Sequence, residues 1–238
     1  MNPYRRRSLT LLSGIPALAA FAAPLGVRAA ETLDDRDALI VVDVQNCFMP
    51  GGTLPVKEGD QIVPLINRIA RGFHNVVITQ DWHTRGHSSF ASAHPGSKPF
   101  EQVDVYYGKQ VLWPDHCIQG TADAALHAGL DIPHAQLILR KGFHQNTDSY
   151  SAFLEADKKT ATGLGGYLKQ RGIRRLYVCG LATDFCVSWT ALDGRDAGFQ
   201  VAVIEDACRA IDLNGSLTAA WAAMTKKGIR RIQSSSLA

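Results

Sequence analysis

The 238-residue sequence has no internal repeat, no low-complexity tract and no CxxC pair. The first absence excludes a repeat architecture, and with 46% hydrophobic and 20% charged residues nothing suggests disorder beyond the ends. The five cysteines are an odd number, and their spacing suggests no disulfide frame, so at least one reduced thiol needs an explanation. Excess charge is also missing once residues 1–30 are set aside. Without Arg5, Arg6, Arg7 and Arg28, 21 of the 25 basic side chains remain against 22 acidic ones. With no basic stripe and scattered aromatics, nucleic-acid binding has no support. The apolar run Leu9 to Leu25 is short and broken by Gly14, Pro16 and Pro24, which argues against a retained membrane span.

What is present at the N-terminus reads as an export signal. Arg5 to Arg7 precede that apolar run, and Val27, Arg28 and Ala29 form a small-x-small cleavage site. Arg6-Arg7-Ser8-Leu9 points to twin-arginine export. Residues 1–30 are therefore expected to be a leader and residues 31–238 a single globular domain, periplasmic, with membrane contact only through the signal. A homo-oligomer is compatible with the sequence.

From Ala38 onward, short apolar runs alternate with helical stretches. Strands are predicted at Ala38–Val44, Asn75–Gln80, Gln136–Arg140, Leu176–Cys179, Gln200–Ile204 and Arg230–Gln233. Helices are predicted at Ile62–Phe73, Gly163–Arg171, Thr183–Ala197 and Gly215–Lys227. Ala38 to Val44 is apolar apart from Asp43 near its end and does not alternate, as a parallel strand covered on both faces requires. The pattern is that of an α/β, doubly wound parallel sheet. Residues 81 to 135 break the rhythm with Gly, Pro and His, and long irregular stretches of this kind are usually functional.

Polar residues fall at the ends of these strands. Asp43 closes the first, Asp81 and His83 follow the second, Lys141 the third and Cys186 the fourth, so all five gather at the carboxyl edge of the sheet, where such folds bind ligands. A lone cysteine is usually a small buried hydrophobe. Cys186, however, sits where a strand turns into a helix, a position expected to lower its pKa and to offer N–H groups for an oxyanion. Asp43 could take the thiol proton and Lys141 could keep Asp43 ionised; a purely structural Asp43–Lys141 pair is the bland alternative. Asp81 and His83, two residues apart on an extended chain, suit one divalent metal ion such as Zn, Fe or Mn. His87, His94 and His116 are candidates for a third ligand.

These residues lie in motifs that resemble a known family. VDVQNCF (Val42–Phe48), TQDWH (Thr79–His83), HSSFASAH (His87–His94), WPDHC (Trp113–Cys117), LRKGFHQNTDSYSAF (Leu139–Phe153), GLATDFC (Gly180–Cys186) and EDACRA (Glu205–Ala210) are similar to those of the nicotinamidases and pyrazinamidases, within the isochorismatase-like cysteine hydrolases. The resemblance implies a six-stranded parallel sheet with helices on both faces. It implies Asp43 as proton acceptor, Lys141 as its partner, Cys186 as nucleophile, and Asp81, His83 and His116 as metal ligands. Some relatives have a further ligand histidine where Ser89 stands, leaving His87 and His94 as second choices. A cis peptide is implied between Leu181 and Ala182, with the Ala182 and Cys186 N–H groups as oxyanion donors, and Phe48, Trp113 and Tyr150 as the ring pocket. The implied reaction is hydrolysis of nicotinamide, and of pyrazinamide, within pyridine nucleotide salvage. Cys47 departs from the family, which commonly has Asp there. Three rivals remain: a related cysteine amidohydrolase for another small amide, a metal-water hydrolase with a structural Cys186, and a non-catalytic periplasmic metal- or pyridine-binding protein.

Overall fold

The strand β1 (Asp37–Val42) is buried at every position, because it carries a parallel partner on each side and a layer on each face. Burying a side chain such as Leu39 or Ile40 contributes roughly 1.5–3 kcal/mol. The computed structural model describes residues 31–237, so the leader assigned to residues 1–30 lies outside the described residues. After β1 come α1 (Val63–Ala70), β2 (Asn75–Asp81), β3 (Gln102–Val105), β4 (Gly108–Val111), β5 (Leu137–Lys141), α2 (Leu164–Gln170), β6 (Arg175–Leu181), α3 (Ser188–Asp196), β7 (Gln200–Arg209), α4 (Ser216–Lys226) and β8 (Arg230–Ile232). No helix among the described residues is long and apolar enough to cross a membrane.

Six strands form one parallel sheet in the order β5-β2-β1-β6-β7-β8. From β1 the chain winds outward to β2 and β5, then returns to β6 and winds the other way. The reversal therefore falls between β1 and β6. In a doubly wound sheet the crevice beyond the carboxyl ends at such a reversal is the expected ligand site.

Two glycines permit the close approaches that shape this edge. A Cβ on Gly180 would lie 2.1 Å from the Val42 carbonyl oxygen, so only glycine lets β6 run against the end of β1 there. Gly142, at φ +66, faces the His83 ring, which a Cβ would meet at 2.6 Å.

The structure departs from the sequence expectations in three places. Residues 81 to 135 are not wholly irregular, since β3 and β4 form an antiparallel hairpin apart from the main sheet. The helix expected at Thr183–Ala197 begins as a π-helical turn, Thr183–Val187, before α3. Cys47 and Cys117 are joined in a disulfide that the cysteine spacing did not suggest, while Cys179, Cys186 and Cys208 remain free thiols.

Candidate active site

Asp43 lies just past β1 in a left-handed conformation, φ 49, and is fully buried. Its Oδ1 accepts the Thr79 hydroxyl at 2.5 Å, and its Oδ2 lies 2.9 Å from Lys141 Nζ. Lys141 ends β5 with its ammonium also fully buried. The same Nζ pairs with Asp81 Oδ1, donates to the Ser149 carbonyl at 3.0 Å and reaches Cys186 Sγ at 3.3 Å. One cation thus holds two carboxylates and a thiol together. Asp43, Asp81 and Cys186 place their side-chain atoms within 4.8 Å of one another.

The charges settle unequally. Burial raises Asp43, with Lys141 opposing and Asp81 assisting, and leaves it at about 6. Burial also acts upward on Asp81, but Lys141 and His83 overcome it and hold that carboxylate well below the usual range. Lys141 goes up despite burial, because Asp43, Asp81 and Cys186 surround it. Cys186 corrects the sequence reading. Burial pushes its thiol well above the ordinary value, Lys141 opposes, and Asp81 and Asp43 add to the rise. The resting group is therefore a thiol beside a carboxylate that is ionised at neutral pH.

A metal fits the neighbouring donors. His83 Nδ1–H donates to the Gly142 carbonyl at 2.9 Å and His116 Nδ1–H donates to the Pro114 carbonyl at 2.8 Å, which turns each Nε2 toward Asp81, where the neutral rings would present their lone pairs to an ion. Those two Nε2 atoms lie 3.6 and 3.9 Å from Asp81 Oδ2. An imidazole pair and a carboxylate oxygen facing one another are a donor set for a divalent ion. The other histidines are otherwise engaged. His87 donates from Nε2 to the His144 carbonyl and accepts at Nδ1 from Ser89, while His94 Nε2 bonds the Ser88 carbonyl. Cys117, within reach of Asp81 and His116, is bound in the disulfide and offers no thiolate.

Cys186 and the metal-facing Asp81, His83 and His116 open on one cavity, lined also by Phe48, Trp113, Tyr150, Phe185 and Ala182. The three aromatic residues expected from the resemblance are all there. Phe185 was not anticipated, although its ring stands edge-on to Trp113 with centroids 4.8 Å apart. Its place beside Cys186 in GLATDFC was the available signal. Trp113 Nε1 donates to Tyr150 Oη at 2.8 Å and Gln110 Nε2 does so at 3.1 Å, which fixes that wall. Gln45 was also missed. It accepts the Asp81 N–H at 2.8 Å and donates to the Asp81 carbonyl at 2.9 Å, so it sets the metal-side carboxylate by its backbone. Asp148, which lines the cavity and accepts from Gln110 at 2.8 Å, gave no signal beyond its place in a motif. The cis peptide between Leu181 and Ala182 is present as expected.

Residues 37–235 match the model of the isochorismatase domain family. The chain is 61% identical over 197 residues to the nicotinamidase of Acinetobacter baylyi, covering 83% of this chain and 92% of that protein. Among solved structures it resembles PnC1 from L. infantum in complex with nicotinate, with TM-score 0.77, 40% identity, and 88% and 98% of the two chains covered. It also resembles the pyrazinamidase of Pyrococcus horikoshii in complex with zinc, with TM-score 0.67, 35% identity, and 83% and 99% covered.

Proposed function

This chain belongs to the isochorismatase family, and from that premise we propose that it hydrolyses nicotinamide to nicotinate and ammonia through a thioester on Cys186, with one divalent metal ion held by Asp81, His83 and His116. Nicotinamidase activity follows from its relatives. The observation that carries the mechanism is the buried Lys141 ammonium, shared by Asp43, Asp81 and Cys186 at the end of an aromatic cavity. A merely structural ion pair would not need a thiol at that point.

The flat ring is taken to lie between Phe48, Trp113 and Tyr150. Asp81, His83 and His116 would hold a divalent ion, which would supply Lewis-acidic orientation of the ring. Asp43 Oδ2 takes the Cys186 proton as the sulfur attacks the carboxamide carbon, so the thiolate is generated only as it is used. The Ala182 and Cys186 N–H groups receive the developing oxyanion. Asp43 then returns the proton to the amine, the C–N bond breaks and ammonia leaves. Water adds to the thioester with Asp43 again accepting a proton, and nicotinate departs as the thiol re-forms. Lys141 keeps Asp43 ionised between the steps. The same set would accept pyrazinamide, which has the same carboxamide on a similar ring.

We place the enzyme in the periplasm, reached folded by the twin-arginine route. Residues 1–30 support export by composition, and the Cys47–Cys117 disulfide suits an oxidising compartment. The test of function is ammonia and nicotinate release from nicotinamide by the purified chain, with bound metal quantified alongside. Equal amounts of the two products are expected. No release by chain loaded in turn with zinc, iron and manganese would overturn the reading.

A further inference from the structure

The Cys47–Cys117 disulfide falls on the two segments that meet across the pocket. Cys47 precedes Phe48 in the 3-10 turn Asn46–Phe48, and Cys117 directly follows His116. The Phe48 and His116 rings meet edge-on with centroids 5.7 Å apart. The Cys117 carbonyl also accepts the His83 N–H at 3.1 Å, so this half-cystine adjoins one metal-facing histidine in sequence and the other in space. Without the cross-link, these segments are joined beside it through Asp123. Its carbonyl accepts the Cys47 N–H at 2.8 Å, and its Oδ2 accepts the Cys117 N–H at 3.1 Å. Cys117 has φ 46, a left-handed conformation that a cysteine keeps only where its surroundings fix it. Both half-cystines are fully buried.

We propose that this disulfide is a positioning device for the metal ligands, holding His116 and His83 so that the donor set is formed before any ion arrives; the inference rests on the metal site assigned above. Its formation is a thiol–disulfide exchange. Each cysteine gives up a proton, the pair gives up two electrons, and a donor disulfide leaves as a dithiol. Cys179, Cys186 and Cys208 stay reduced, so oxidation spares the nucleophile. Chain made under reducing conditions keeps its fold but holds metal less tightly, which links activity to the redox state of the compartment.

The first measurement is a thiol count on denatured, full-length chain purified without reductant, where three thiols are expected before reduction and five after. The second is zinc affinity by competition with a chelating indicator. It compares the parent with the C47A/C117A variant, at a temperature where both remain folded. Weakening of zinc binding by roughly tenfold or more is expected, as for loss of groups that orient a ligand. Nicotinamide KM should rise while kcat at saturating zinc stays within about twofold. If the variant does not fold, parent reduced with a phosphine gives the same comparison. Equal zinc affinity in oxidised and unlinked chain, or five thiols before reduction, would overturn the proposal. Zinc binding that survives Asp81→Ala unchanged would instead count against the metal site itself.

Discussion

Replacing Lys141 by Met removes a cation that touches both carboxylates and the thiol, so its effect reports on how the nucleophile is made. The ammonium lies 3.3 Å from Cys186 Sγ and 2.9 Å from Asp43 Oδ2, fully out of water. At an effective dielectric of about 20, a unit charge 3.3 Å from a thiolate is worth about 5 kcal/mol, a factor of more than about a thousand in thiolate population. Asp43 and Asp81 draw on the same cation, so only part of that reaches the sulfur. We expect alkylation of Cys186 at neutral pH to slow by roughly a hundredfold, since Asp43 would rise above its present value of about 6 and lose its capacity as a base. The assay is the rate of iodoacetamide labelling, followed by peptide mass, with buried Cys179 and Cys208 as controls in the same sample. Stability should also fall by about 3–5 kcal/mol, because a broken buried ion pair leaves its partners uncompensated. Equal labelling rates in folded parent and folded variant would refute the argument. The Asp43–Lys141 pair would then be structural.

Changing Asp81 or His116 to Ala should lower metal content first and turnover with it, read by elemental analysis of protein purified at matched concentration; unchanged occupancy would point to other ligands. The pH profile of kcat/KM should lose activity as pH falls through about 6, because Asp43 must be ionised to accept the thiol proton, and a profile flat down to pH ~4 would remove Asp43 from that role. The same raised value has the opposite sign for folding: Asp43 favours the folded state most when protonated, so its contribution declines as pH rises from about 4 to about 6, which Asp43→Asn should abolish in denaturant titrations. Replacing Arg6 and Arg7 together by Lys should trap the precursor inside the cell, as fractionation would show. Mature parent found only in the cytoplasm would contradict the export reading.

The parallel strands were legible because a strand covered on both faces must be apolar throughout, as Ala38 to Val42 is. Their order was not, but the positions of Asp43, Asp81, Lys141 and Cys186 at strand ends were enough to collect the site at one edge. The hairpin of β3 and β4 escaped notice because each strand is only four residues long and largely exposed, too short for the Gln102–Val105 alternation to stand out. The disulfide was invisible for a different reason. Its cysteines are 70 residues apart, and only the packing of two irregular segments brings them together. The Cys186 thiol shows where local reasoning fails in energy: a helix start favours the thiolate, but burial beside two carboxylates outweighs it. Asp81 was read as a metal ligand alone, whereas its second oxygen pairs with Lys141, a contact that depends on β5 lying beside β2.

The central claim is that Cys186 carries the acyl group. Enzyme mixed with nicotinamide and quenched in acid during turnover should show, by intact and peptide mass, one nicotinoyl group in place of the Cys186 thiol hydrogen. Cys186→Ala should lack both the adduct and measurable ammonia release while keeping its bound metal. Hydrolysis by Cys186→Ala near the parent rate, with no adduct on the parent, would contradict the account.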